Sequence, residues 1–182
     1  MNCPRCLDNP LHPVTLEDSL QAETCDRCEG YWLDAEKYDH WREEKGETLP
    51  EQEPEITLEV DDSEQVKLCP NCARILIKYR VGDGTDFFIE RCGNCNGVWF
   101  DRNEWETLKH QNLHDEIHHI FSPSWQTAIR RQENAEKLDQ IYYQKFGRRD
   151  YEEIQKIWAW LKTRPQRQAL LAYLNEENPY LV

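Results

Sequence analysis

Eight cysteines constrain this chain more than any other feature, because all of them fall into four Cys-x-x-Cys pairs: Cys3 with Cys6, Cys25 with Cys28, Cys69 with Cys72 and Cys92 with Cys95. Eighteen residues separate the first two pairs and nineteen the second two. Two residues between thiols let one tight knuckle aim both sulfurs at a single point. A second knuckle across a hairpin then completes a tetrahedron of thiolates, the arrangement of a structural zinc site. Two such sets predict two Zn2+ ions, and four protein ligands on each leave no open position for substrate or water. Iron suits the same tetrahedral sulfur set. A dithiol redox motif is the weaker reading, because no strand–helix–strand pattern accompanies any pair.

The remaining sequence agrees with metal rather than disulfides. The N-terminus has no basic stretch followed by an apolar run, and no segment reaches the ~18 apolar residues of a membrane helix. We therefore expect a soluble, cytoplasmic chain that does not associate with membranes, in a compartment where thiols stay reduced. Hydrophobic residues make up 38% of the 182 and charged residues 31%, which is lean for one large core. Small metal-stabilised units fit better.

The two cysteine sets belong to a longer repeat. Cys3-Pro-Arg-Cys6 matches Cys69-Pro-Asn-Cys72, and Cys25-Asp-Arg-Cys28-Glu-Gly-Tyr-Trp-Leu-Asp34 matches Cys92-Gly-Asn-Cys95-Asn-Gly-Val-Trp-Phe-Asp101. Gly30 and Gly97 are expected to supply positive φ where the chain leaves the knuckle. Trp32 and Trp99 would lie over the metal sites as the main body of each small core. Asp34 and Asp101 read as helix N-caps, and Asp101 with Glu104 as a capping box. The first copy has Lys37 in place of that glutamate.

This C-P-x-C…C-x-x-C-x-G-x-W-[LF]-D pattern resembles the TFIIB-type zinc-ribbon (transcription factor zinc-finger) family over residues 1–41 and 67–109. The resemblance implies a zinc-bound β-hairpin module, and the family name implies transcription or nucleic-acid binding. The family pattern usually continues with a small residue and a glutamate, as in D-x-G-E; Asp34-Ala-Glu-Lys37 departs from it, whereas Asp101-Arg-Asn-Glu104 keeps the glutamate. No family is recognised beyond the second copy. The expected fold is a small metal-stabilised α+β chain: ribbon 1 over 1–41, an acidic linker over 42–65, ribbon 2 over 66–109 and a helical region over 110–182.

Charge separates these regions. The net charge is −13, and residues 42–65 alone carry ten acidic side chains against two basic ones. That segment reads as a solvated spacer, with one short strand over Ile56–Val60. In ribbon 2, Arg74–Val81 and Phe87–Arg91 read as the arms of a hairpin. By the period of two, Arg74, Lys78 and Arg80 share one face, and Ile75, Ile77, Tyr79 and Val81 the other. The basic face is the candidate nucleic-acid surface. His110, His114 and His118 follow at i, i+4 and i+8 and form a candidate second metal site.

The last third reads as helices, with Ser122 and Pro123 as N-cap and first turn, a stop at Gly147, a capping box at Asp150/Glu153 and a break at Pro165. There is no phosphate-binding glycine loop, no nucleophile motif and no cysteine outside the pairs. The sequence thus points away from an enzyme. It favours a zinc-dependent interaction or regulatory protein that uses the ribbons and helical tail to bind a protein partner. The alternative is a transcription-related nucleic-acid binder acting through the basic face of ribbon 2. A pI near 4.9 weighs against that alternative because phosphate neutralisation dominates such binding.

Overall fold

A computed structural model of the chain describes residues 1–45, 58–82 and 84–176. Met1–Ile129 form one compact unit and Arg130–Val182 a second. Each copy of the repeat folds as a hairpin, a short third strand and a helix. In the first these are β1 (His12–Glu17), β2 (Leu20–Thr24), β3 (Tyr31–Leu33) and α1 (Ala35–Lys45). In the second they are β4 (Leu76–Arg80), β5 (Phe88–Cys92), β6 (Val98–Phe100) and α2 (Glu104–His110). The helices α3 (Ile117–Ile120), α4 (Pro123–Phe146), α5 (Arg148–Lys162) and α6 (Arg167–Asn175) follow.

The two copies are joined in one antiparallel sheet of order β1-β2-β3-β6-β5-β4. At its centre Tyr31 pairs with Phe100, Trp32 with Trp99 and Leu33 with Val98. Trp32 thus pairs with its own counterpart in the repeat, so the copies face each other about a local pseudo-twofold axis, as two subunits do in an isologous dimer. Alternation along the strands sorts the side chains between two faces. Trp32 and Trp99 join the buried cysteines and Leu76 in one cluster. Leu33, Val98 and Phe100 join the helix-covered core with Tyr38, Trp41, Trp105 and Leu108. The four tryptophans are at most 1% exposed, and burying one indole stabilises by roughly 5 kcal/mol on area alone.

That helix-side core draws on both copies and is completed by Leu113, Ile117, Ile120 and Phe121. The first unit therefore runs to Ile129 and not to residue 109, because these apolar residues belong to the ribbon core. Tyr38 of α1 donates to the carbonyl of His114 at 3.0 Å, tying the first copy's helix to the turn beyond the second. Ser122 caps α4 as expected, its Oγ accepting from the Trp125 N–H at 3.2 Å.

Several local expectations are corrected. Gly30 and Gly97 do not have positive φ; Glu29 and Asn96 just before them do. The glycines are required for close approach: a Cβ on Gly30 would lie 2.3 Å from the Trp99 indole, and one on Gly97 2.3 Å from the Trp32 indole. Helix α5 begins at Gly147–Arg148 with no side-chain cap, so Asp150 and Glu153 lie inside it and form no box at its start. The strand expected over Ile56–Val60 falls partly outside the described residues, and Leu58–Val60 are not in a strand.

The second half of the acidic segment is no free spacer. The Asp61 N–H donates to Arg102 O at 3.3 Å, and Arg5 of the first ribbon grips the Asp61 carboxylate at 3.0 Å. Asn103 Nδ2 donates to Glu59 O at 2.8 Å. Asp62 accepts from the Phe88 N–H, and the Ser63 N–H donates to Asp101. Carboxylates that composition alone assigns to solvent here find donors on the ribbon surface.

In the second unit Leu161 is buried, while Ile154, Ile157, Trp158 and Trp160 are exposed. Tyr142 stacks on Phe146 with centroids 5.7 Å apart. Lys162 and Arg167 lie over Trp158, and Arg164 over Trp160.

Candidate metal centres

The cysteines gather into two sets, Cys3/Cys6/Cys25/Cys28 and Cys69/Cys72/Cys92/Cys95, each with its sulfurs within 4.8 Å of one another. In both sets, two thiols are buried and two half-buried, and none forms a disulfide. Cys3 and Cys28 Sγ are 3.6 Å apart, Cys69 and Cys95 Sγ 3.5 Å, and Cys72 and Cys92 Sγ 3.4 Å. A tetrahedron with Zn–S arms of ~2.3 Å has edges near ~3.8 Å, so the spacing fits one ion in each set.

The surrounding donors fit thiolates as well. The Cys6 N–H points at Cys3 Sγ and Asn9 Nδ2 at Cys25 Sγ, each at 3.2 Å. The Asn94 N–H points at Cys92 Sγ at 3.4 Å. Burial pushes the Cys25 and Cys92 thiols up, but amide N–H groups of Cys28 and Arg27, and of Cys95 and Asn94, more than offset it, and both lie at about 7. These two are counterparts in the repeat. Burial instead raises Cys6 to about 11 and lifts Cys69 further. A bound cation would stabilise the thiolates of each set.

The two copies diverge at their matching aspartates. Asp34 caps α1, accepting from the Glu36 N–H at 3.0 Å. Asp101 is fully buried and does not cap: it accepts from Trp99 Nε1 at 2.9 Å, Lys67 Nζ at 2.9 Å and the Ser63 N–H. Only the return half of the expected capping box forms, with Glu104 accepting from the Asp101 N–H at 2.8 Å. Lys67 is 1% exposed and also meets Glu90 at 2.5 Å. Burial would lower its pKa, but Glu90 and Asp101 raise it. Burial, with Asp101 and Glu90 adding, holds Glu104 well above the usual carboxylate range. Asp62, Glu90 and Asp101 also stand close together, but the Lys67 ammonium fills the space between Glu90 and Asp101 as their counterion. The sequence reading missed this cluster; a lysine two residues before the first ligand carries no signal of burial.

The three histidines do not converge. Helix α2 stops at His110, and the turn that follows places His114 in the core and His118 on the short α3. His114 lies edge-on to Trp105, with centroids 5.9 Å apart. His118 Nε2 is 2.7 Å from Asp39. Among the described residues they form no metal-binding group, because the i, i+4, i+8 pattern is cut by the helix end.

The basic face is also changed by its surroundings. Lys78 meets Asp62 at 3.2 Å and donates to Ser63 O at 2.6 Å. Arg80 pairs with Asp86. Both cations lie over the Phe88 ring. Arg74 precedes β4. Much of the charge that the sequence offers to phosphate is neutralised by carboxylates of the same unit.

Among the described residues no helix is long and apolar enough to cross a membrane. No curated protein and no solved structure matches the chain. The model of the family described as transcription factor zinc-finger matches residues 2–44 and 68–111. With two four-cysteine sites folded about a common sheet, these segments fit two tandem copies of the TFIIB-type zinc ribbon, and each site is compatible with one structural zinc ion.

Proposed function

We propose that the chain is a non-enzymatic, zinc-dependent scaffold whose paired ribbons and helical tail bind a protein partner in a reducing, cytoplasmic setting. The observation that carries this reading is the back-to-back arrangement of two closed four-cysteine sites around Trp32 and Trp99. With every metal position taken by sulfur, zinc serves the fold, and function falls to surfaces around it. The exposed aromatic residues of α5 and α6 support a tail that meets another protein. Nucleic-acid binding through Arg74, Lys78 and Arg80 has less support, since Lys78 and Arg80 are already paired.

The test is affinity capture with zinc-loaded and chelated protein, alongside titration with mixed DNA and RNA at low salt. Zinc-dependent, stoichiometric capture of one protein supports the proposal. Nucleic-acid binding that weakens with salt and is lost on reversing Arg74, Lys78 and Arg80 to glutamate would replace it.

A further inference from the structure

The duplication provides an internal comparison. Corresponding hydrogen bonds align the hairpins: the Cys3 N–H donates to Asn9 O and the Cys69 N–H to Arg74 O, while Leu11 N–H donates to Met1 O and Leu76 N–H to Lys67 O. Isolated bridges match likewise, Asn2 with Pro10 and Leu68 with Ile75. Ladder partners extend the match, His12 facing Thr24 and Ile77 facing Arg91. Leu68, Ile75 and Ile77 thus occupy the positions of Asn2, Pro10 and His12. Arg74 and Arg91 occupy those of Asn9 and Thr24.

In the second copy those three aliphatic residues are 46%, 63% and 48% exposed. The first copy folds on the same backbone with other residues, so the fold does not demand aliphatic side chains there. Nor are they the margin of the core: Leu76 between them is the buried one, at 5% exposure. The face is continuous with one already in use. Further along β4, Tyr79 packs edge-on against Phe121 at 5.0 Å, and Trp125 Nε1 donates to Val81 O at 2.9 Å. The start of the helical region therefore covers the far end of the β4 stripe and leaves Ile75 and Ile77 open. Exposed aliphatic residues in a row are a liability unless something covers them.

Charge restricts what that can be. From Val66 to Gly82 there is no acidic residue, in a chain with 35. Arg91, opposite Ile77, stacks its guanidinium 4.9 Å from the Phe121 centroid and bonds Asn96 at 2.9 Å, and its buried Nε has no acceptor among the described residues. We infer that Leu68, Ile75 and Ile77, bordered by Arg91, form a docking face for an apolar protein segment that carries carboxylates. This rests on the scaffold reading and assigns the partner's contact to ribbon 2.

The experiment pans a displayed library of random 16-residue peptides against the zinc-loaded full chain. Counter-selection uses the triple variant Leu68→Asn, Ile75→Thr, Ile77→His, which borrows two residues from the first copy. Two bound zinc ions per chain and an unchanged near-ultraviolet spectrum check that the variant is folded. The expected result is enrichment of apolar, acid-bearing peptides that bind the triple variant at least tenfold more weakly and the Arg91→Gln variant several-fold more weakly. Peptides that bind both proteins equally, or an enriched set that is basic, would overturn the assignment. So would a wild-type dimer that the triple variant abolishes, which would give the face to a second copy. A zinc-dependent partner still captured by the triple variant would remove this face and leave the scaffold reading standing.

Discussion

Trp32 and Trp99 are ladder partners at the centre of the sheet, and each indole occupies the space that a side chain on the other copy's glycine would need. One tryptophan crosses to Gly97 and the other to Gly30. The interlock joins two zinc sites that the sequence presents as separate modules.

Replacing either glycine by alanine should therefore destabilise the whole first unit, by about 3 kcal/mol, through overpacking. Trp99→Leu should partly rescue Gly30→Ala but not Gly97→Ala, and Trp32→Leu the reverse. Gly93→Ala is the control, since its Cβ would meet only Ile77 at an ordinary 3.5 Å. Denaturant unfolding of the zinc-loaded variants measures all three.

Zinc loading should be coupled between the sites. Cys28→Ser weakens the first site directly, and through the shared Trp32/Trp99 cluster it should also weaken zinc at the intact second site by roughly tenfold. Chelator competition followed by cobalt absorbance reads each site; an unchanged second site would show that the interlock transmits nothing. Removing both ions should unfold the first unit.

Lys67→Met should cost about 3–5 kcal/mol, because Glu90 and Asp101 then lose their buried counterion. Adding Glu90→Gln should recover part of the loss. The same Lys67→Met change would be nearly neutral if the cluster were solvated, so thermal unfolding at matched zinc occupancy distinguishes the two.

Glu104 gives a pH prediction. Its pKa is raised in the folded chain by burial and by Asp101 and Glu90, so the folded state holds this proton more tightly than the unfolded one. The associated stability is present below the ordinary glutamate value and declines as pH rises through the raised one, with a limiting slope of about 1.4 kcal/mol per pH unit for one proton. Glu104→Gln keeps an acceptor for the Asp101 N–H and removes the titration. Between pH 6 and 8, its stability should fall less steeply than that of the parent, as measured by urea unfolding.

Cysteine spacing and a ten-residue tail match were enough to read two zinc ribbons, their hairpins, the helices that follow and the Ser122 cap, because these depend on neighbours a few residues apart. Eight ligands could be named for the same reason: a knuckle aims both of its sulfurs locally. What each repeated residue does was not legible. Gly30 and Gly97 are small because a tryptophan from the other copy lies against them, which is a long-range contact and not a backbone requirement. Asp34 and Asp101 occupy one motif position, yet one caps a helix in water and the other neutralises a buried lysine. His110, His114 and His118 keep their spacing and lose their common face when α2 ends. Local pattern determined the two metal-bound modules. Only the packing of one copy on the other decided that they share a sheet and a core, which charges are neutralised, and which aliphatic residues of the second ribbon remain uncovered.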